Sequence, residues 1–203
     1  EITYGDWSSD VCSSDLNFLH PIVAMTASAA ALHASAIIID GACPLLRRRE
    51  FVDWYSEGGV TVCCPTVGST ASAAETLRNL GAWKRFIAAR GDLMQVFTAA
   101  DVLQAKQSRK LGLVFHFQGA DPIENDLDLV EAYHALGVRV VQLTYNIRNR
   151  VGDGCEEKTD AGLSAFGADL VRRLNENRIV VDCSHTGYRT TMDAIELSAR
   201  PPV

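Results

Sequence analysis

The stretch LVFHFQGADPIENDLDLVEAYHALGVRVVQLT, residues 113–144, contains the pattern that decides the fold. It opens with the apolar run LVFHF and closes with VRVVQLT, both rich in the β-branched and aromatic residues that are typical of strands. Between them, residues 126–136 predict a helix, and Gly137 is suited to end it. A strand, a helix and a second strand in this order predict a βαβ unit with parallel strands.

The same alternation runs through most of the chain and predicts five strands. Because parallel strands need crossover connections, we expect a parallel sheet covered on both faces, either an open doubly wound sheet or a (β/α)8 barrel of the TIM type. No Gly-x-Gly-x-x-Gly motif follows a strand, which disfavours a dinucleotide-binding open sheet. A barrel needs eight strands, so we expect an N-terminal fragment of about five strands, with Pro202 and Val203 entering a sixth. The predicted strands lie at residues 36–40, 60–64, 113–117, 138–144 and 179–183, and the predicted helices at 72–90, 101–108, 126–136, 164–177 and 190–199.

Composition limits the class of protein. The chain has 203 residues, of which 47% are hydrophobic and 22% charged, which fits one globular domain with a sizeable core. Its formal charge of −6 and lack of a long basic run argue against nucleic acid as a partner. Residues 5–16, GDWSSDVCSSDL, resemble a translated sequencing adapter. We therefore expect residues 1–24 to be a non-native leader and residues 25–203 to be the incomplete barrel domain.

The long apolar stretch at residues 18–39 is rich in Ala, Ser and Thr, and no Lys or Arg precedes Arg47. A secretory signal needs a basic start, so we expect no membrane association and a cytoplasmic location. No Cys-x-x-Cys pair occurs, which disfavours a zinc knuckle or a dithiol redox site.

Polar residues follow the predicted strands, where the chemistry of parallel α/β folds gathers. Among them, His185 follows a β-branched run, and an imidazole in that place suits a metal ligand or a general base. Cys43 is a further candidate, as a nucleophile, although the sequence places no base beside it. His116 alternates with two phenylalanines, so we expect it to face the helix layer or the core. The strand-end residues are Asp40, Cys63, Cys64, Gln118, Tyr145, Asn146, Asp182 and His185.

Three segments carry a resemblance to a known family: LVEAYHALGVRVVQLTYN at Leu129–Asn146, GLSAFGADLVRRLNE at Gly162–Glu176 and VDCSHTG at Val181–Gly187. In order and spacing they resemble the membrane (renal) dipeptidases, metal-dependent (β/α)8 enzymes of the amidohydrolase superfamily. The resemblance implies hydrolysis of dipeptides or similar small amides by a metal-activated water.

Dipeptidases of this family hold two zinc ions, and the resemblance implies a site that differs from theirs. Ala42 and Pro44 stand where the family has a His-x-Asp pair of ligands, and Gln118 stands in place of the bridging Glu. Tyr145 replaces a substrate-contacting His, whereas His185 matches the family's ligand at the end of the fifth strand. We therefore expect His185 to bind metal, Gln118 and Tyr145 to contact substrate, and one zinc ion rather than two.

Two hypotheses for the function result. The first is an atypical, mononuclear metallohydrolase, as a monomer or a homodimer, whose partner is a small dipeptide or amide and in which no residue is assigned to catalysis. The alternative is a metal-free barrel, derived from a dipeptidase, that binds a small molecule without cleaving it. Loss of the ligands at positions 42, 44 and 118 favours the alternative, and retention of His185 favours the hydrolase.

Overall fold

A computed structural model describes residues 28–203 of the chain. Residues 28–35 are helical and belong to one unit that ends at Ala36, and residues 37–203 form the other unit, which contains the sheet. The predicted leader at residues 1–24 lies outside the described residues. Within residues 28–203, no helix is long and apolar enough to cross a membrane.

The strands of residues 37–203 form one parallel sheet, as the sequence predicts, consistent with a partial TIM-type barrel. Along the sheet the order is β3, β4, β2, β5, β6 and β7, and β1 pairs with the other edge of β2. Every pairing is parallel, so every strand ends at the same rim of the sheet. The seven strands of the described residues are β1 Ile39–Cys43, β2 Val62–Gly68, β3 Leu93–Gln95, β4 Leu111–Leu113, β5 Phe115–Phe117, β6 Val138–Gln142 and β7 Val180–Asp182.

The predicted strand at residues 113–117 corresponds to two strands, β4 and β5, separated at Val114. Along one edge both strands pair with β2, but along the other edge β4 pairs with β3 and β5 pairs with β6. The break thus falls where the neighbouring strand changes. The sequence did not predict β3, because its three residues, LMQ, are too few to show a strand period.

Strand bounds differ from expectation at several places, and the second strand, predicted at residues 60–64, runs over Val62–Gly68. The first strand runs from Ile39 to Cys43 rather than over residues 36–40, because Ile39 and Asp40 pair with the start of β2 and Cys43 pairs farther along it. At the other end, the Val203 N–H donates to the Val181 carbonyl at 3.0 Å, and the Val203 carbonyl accepts from the Cys183 N–H at 2.7 Å. The last residue therefore lies along β7, where the sequence predicts the entry to a sixth barrel strand.

Six α-helices of this unit connect the strands, and three of them begin at side-chain caps. Ser72 and Ser164 act as N-caps, accepting the N–H of Glu75 and Gly167. The helix predicted from Asp101 begins earlier, because Thr98 and Asp101 form a reciprocal capping box. The helices are α1 Val52–Glu57, α2 Ala73–Ala88, α3 Ala99–Ser108, α4 Leu129–Leu136, α5 Ala165–Glu176 and α6 Tyr188–Leu197.

The main core lies between the sheet and the helices. Phe117 of β5 packs edge-on against Tyr133 of α4, with 4.8 Å between ring centroids, and both side chains are buried. Leu170 and Leu174 of α5 are fully buried in the same core. Burial of these large apolar side chains attaches the helices to the sheet.

The two phenylalanines of β5 face this helix layer. His116 lies between them in the strand, so its side chain points to the other side of the sheet. It lies on the opposite face of β5, fully buried, with Nε2 3.3 Å from Oδ2 of Asp182 on β7. Since β6 separates these two strands, the side chains meet only across the concave face of a curved sheet. Contacts between alternate strands are typical of the interior of a (β/α)8 barrel.

Beyond β6, residues 143–163 form a long connection that Asp153 holds in place. One carboxylate oxygen accepts a hydrogen bond from Nε of Arg148, and the other accepts the Ala161 N–H at 2.6 Å. The Asp153 N–H donates to Oγ1 of Thr190 in α6 at 3.0 Å. The Arg148 guanidinium and the Ala161 N–H hold the pKa of Asp153 below its usual value. This connection sets the position of the residues that follow β6 at the rim.

Replacing Leu170 with Ala should lower the free energy of unfolding by about 2–5 kcal/mol, because the substitution leaves a cavity under α5. The matched control is Leu103→Ala in α3, where the leucine is 52% exposed and the expected loss is below about 0.5 kcal/mol. Urea denaturation of both variants measures the difference. Equal losses would show that α5 does not anchor the core.

Asp153→Asn should destabilise the protein at neutral pH, and the difference from wild type should shrink in acid. The pKa of Asp153 is lower in the fold than in the unfolded chain, so its carboxylate stabilises the fold above the usual Asp pKa of about 4. That stabilisation is lost as the pH falls through the lower, folded pKa. Urea titrations from pH 7 to pH 3 test this, with Asp169→Asn as control, for which we expect a loss below about 1 kcal/mol because its ion pair with Arg172 is exposed.

Candidate functional site

Gln118 stands at the rim directly after β5 and is tied to the end of β2. Its N–H donates to the Gly68 carbonyl at 2.8 Å, and its carbonyl accepts from Oγ of Ser69 at 2.7 Å. It follows His116 by two residues, the spacing that returns a side chain to the same face of a strand. The structure thus places Gln118 at the inner rim, and its role in contacting substrate stays a prediction.

A cleft of about 450 Å³ opens beside this point, at the end of β2. Its lining includes Arg47, Ser69 and Asn79, and Ser69 also holds the backbone of Gln118. The volume lies in the range of small-molecule sites.

Tyr145 and His185 lie together at the ends of β6 and β7. Their ring centroids are 4.7 Å apart and the ring planes are tilted by 34°. The His185 side chain is exposed, whereas Tyr145 is half-buried. The structure therefore brings together two of the three predicted site residues, and the roles of both stay predictions.

Asn146 fixes the orientation of the His185 ring. Its side-chain oxygen Oδ1 lies 2.5 Å from Nδ1 of His185, and its Nδ2 donates to a carboxylate oxygen of Glu156 at 2.8 Å. Because an amide oxygen only accepts, Nδ1 must carry the proton. In the neutral ring, Nε2 is then the nitrogen with a free lone pair, which is the form in which histidine binds a metal. Sequence reasoning placed Asn146 at a strand end but did not reveal this contact.

The loop that presents His185 has an uncommon backbone. His185 has φ of 61°, in the left-handed region that residues with a Cβ seldom adopt. The His185 carbonyl accepts the Cys155 N–H at 2.9 Å, and the Thr186 N–H donates to the Cys183 carbonyl at 3.2 Å. These bonds hold the loop in a conformation that it would not keep by local preference alone.

The end of β1 has no metal-binding side chains at the positions that the resemblance singles out. Ala42 is exposed, and Pro44 opens a short 3-10 turn. Cys43, considered as a nucleophile, is fully buried beside Cys63, and the hydrogen bond between these thiols, together with burial, raises the pKa of Cys63. A buried thiol in such surroundings is inert, so the structure argues against a nucleophilic Cys43.

The residues at the rim do not fit a binuclear zinc centre. Across residues 28–203, no group of three or more His, Cys, Asp or Glu side chains is arranged to hold a metal ion. The rim supplies one suitable nitrogen, Nε2 of His185, beside a neutral amide and a phenol. The histidine–aspartate contact inside the barrel is the other feature that sequence reasoning missed, because its partners are 66 positions apart in the chain.

Comparison with known proteins agrees with this fold. An "Uncharacterized dipeptidase" of Schizosaccharomyces pombe is 28% identical over 140 residues, covering 66% of this chain and 34% of the relative. The crystal structure of an amidohydrolase from Pseudomonas aeruginosa superposes with a TM-score of 0.80 at 35% identity, covering 85% of this chain and 53% of that one. A metallo peptidase from Rhodobacter sphaeroides, solved with a phosphinate mimic of the dipeptide L-Ala-D-Ala, shares the fold with a TM-score of 0.70 at 21% identity, covering 82% and 63%.

These relatives are longer than the chain. Among the first three curated relatives, the chain covers 34%, 49% and 35% of their lengths. The sequence pattern of "Membrane dipeptidase (Peptidase family M19)" matches residues 54–203, nearly three quarters of the chain. The chain therefore belongs to the membrane dipeptidase family.

Proposed function

We propose that the whole protein hydrolyses dipeptides or similar small amides. The observation that carries the proposal is the contact between Nδ1 of His185 and Oδ1 of Asn146, which leaves Nε2 as the unprotonated nitrogen of the neutral ring. Family membership supports the reaction class, and the neighbour solved with a dipeptide mimic supports the substrate class.

Within this proposal, His185 would hold a single zinc ion together with ligands from outside the described residues. A bound zinc ion would lower the pKa of a water molecule and polarise the scissile carbonyl. The chain's own contribution is positional: Asn146 keeps Nδ1 protonated, and Glu156 fixes the orientation of that amide. Two zinc ions are not proposed, because a neutral Gln118 and the residues at positions 42 and 44 cannot replace the missing ligands.

Gln118 and Tyr145 are proposed to contact the substrate. A primary amide can both donate to a peptide carbonyl and accept from a peptide N–H, and a phenol can do the same. The cleft lined by Ser69, whose hydroxyl bonds the Gln118 carbonyl, has a volume of about 450 Å³, in the range of small-molecule sites. A cytoplasmic location and a homodimer remain predictions from the sequence.

A second candidate function is a metal-free barrel that binds a small molecule without cleaving it. The specific observation in its favour is the set of non-ligating residues at the rim, Ala42, Pro44 and Gln118, with no three-ligand group within residues 28–203. The two functions differ in metal content, so one experiment separates them.

The full protein, purified from zinc-supplemented medium, should hold about one zinc per chain and hydrolyse a panel of dipeptides. His185→Ala should lose the zinc and at least about a hundredfold in kcat/KM, because it removes the proposed ligand. Elemental analysis and a ninhydrin-based dipeptide assay measure both quantities. His134→Ala is the matched control, since His134 lies in α4 and its loss should change neither quantity.

Absence of zinc and of activity from wild type would overturn the hydrolase and leave the binding barrel. Two zinc ions per chain would show that unrecognised ligands rebuild a binuclear centre.

Gln118→Glu should raise occupancy of a second metal only slightly. The carboxylate restores one bridging group, but Ala42 and Pro44 still contribute no ligands beside it. Zinc titration by isothermal calorimetry should show one strong site and at most a weak second one. Two tight sites in this variant would contradict the prediction, and Gln118→Asn provides a neutral comparison.

A further inference from the structure

The buried contact between His116 and Asp182 is not accounted for by the proposed reaction. His116 is fully buried and Asp182 is 5% exposed, and Nε2 lies 3.3 Å from Oδ2. Within residues 28–203, neither ring nitrogen of His116 makes a well-aligned hydrogen bond. Buried polar atoms are nearly always satisfied, so a histidine at this place needs a reason beyond packing.

Asp182 connects this interior position to the rim. Its Oδ1 accepts the Ser184 N–H at 2.7 Å, and Ser184 directly precedes His185. Burial acts to raise the pKa of Asp182, but the interactions with His116 and Ser184 bring it below the usual value. The carboxylate is therefore charged, with one oxygen toward the imidazole and the other toward the loop.

The Ser184 N–H that donates this bond belongs to the loop in which His185 has a left-handed backbone. A residue with a Cβ keeps φ near 61° only when its surroundings determine the backbone on several sides. Asp182 forms the first turn of the loop, and the bonds from Thr186 and Cys155 close its other side. Movement of the Asp182 carboxylate would release the turn that begins the loop.

We infer that His116 is a positioning residue, which holds the Asp182 carboxylate in the orientation that fixes the loop carrying His185. It acts from β5, two strands away from β7, and touches neither substrate nor metal. The effect on catalysis rests on the proposed function, but the effect on the loop does not.

The side chain at position 116 matters because the Asp182 carboxylate is a buried charge. An apolar residue at position 116 would leave the carboxylate buried without a partner on the barrel side, which is unfavourable. The carboxylate would then turn toward solvent or take up a proton, and either change weakens its bond to the Ser184 N–H. Glutamine, whose amide can still donate a hydrogen bond, should preserve the arrangement.

The test compares His116→Leu with His116→Gln in the full protein. The first readout, independent of metal and activity, is hydrogen exchange of the Ser184 amide by NMR, corrected with the Val141 amide of β6. We expect exchange about tenfold faster in His116→Leu and close to wild type in His116→Gln. The zinc Kd should rise about tenfold in His116→Leu, the lower end of the effects known for residues that support metal ligands.

Thr66→Val is the matched control. Thr66 is the register partner of His116 on β2 and is buried, and its hydroxyl makes no hydrogen bond within residues 28–203. This variant should leave exchange at Ser184 unchanged. In an Asp182→Asn background, His116→Leu should change the exchange rate of the Ser184 amide little further, because His116 acts through Asp182.

Unchanged exchange at Ser184 in His116→Leu, after correction for global stability, would overturn the inference and leave His116 a packing residue. Suppose that exchange is faster in His116→Leu but the wild-type protein neither binds zinc nor cleaves dipeptides. That result would overturn the proposed function alone. In that case the positioning of the loop would still be supported.

Discussion

Parallel pairing across β2, β5, β6 and β7 determines where every candidate site residue lies. Thr66 pairs with His116, His116 with Val140, and Val140 with Val180, so four strands share one level across the sheet. Since all of them run in the same direction, their ends meet at one rim. Gln118, the Tyr145–Asn146 pair and His185 follow that level by a few residues each, which brings distant parts of the chain to one edge.

Within the described residues, the rim has a supporting framework around His185 but few side chains that could bind a metal. Asn146 sets the tautomer of His185, and Asp182 and the 143–163 connection hold the segments on either side. In metal sites, such supporting bonds matter because they orient the ligand and fix its protonation. Their presence around His185 supports the proposal that this histidine serves as a metal ligand.

Much of this fold was predictable from the sequence, since alternating strand and helix patterns are local signals. The N-caps at Ser72 and Ser164 and the helix stop at Gly137 depend on neighbours only a few residues away. β3 was missed because three residues show no period, and its place depends on pairing with β4. The contacts of His185 with Asn146, and of His116 with Asp182, depend on curvature of the sheet and on side-chain rotamers, which no local pattern encodes.

The most direct test of a mononuclear site on His185 is anomalous diffraction at the zinc edge from crystals of the full protein grown with zinc. Such a site predicts one peak at about 2.0–2.1 Å from Nε2 of His185, with Oδ1 of Asn146 still bonded to Nδ1. Two peaks about 3.5–4 Å apart would instead show a binuclear centre, and a peak at Nδ1, or none near His185, would contradict the central role given to this histidine.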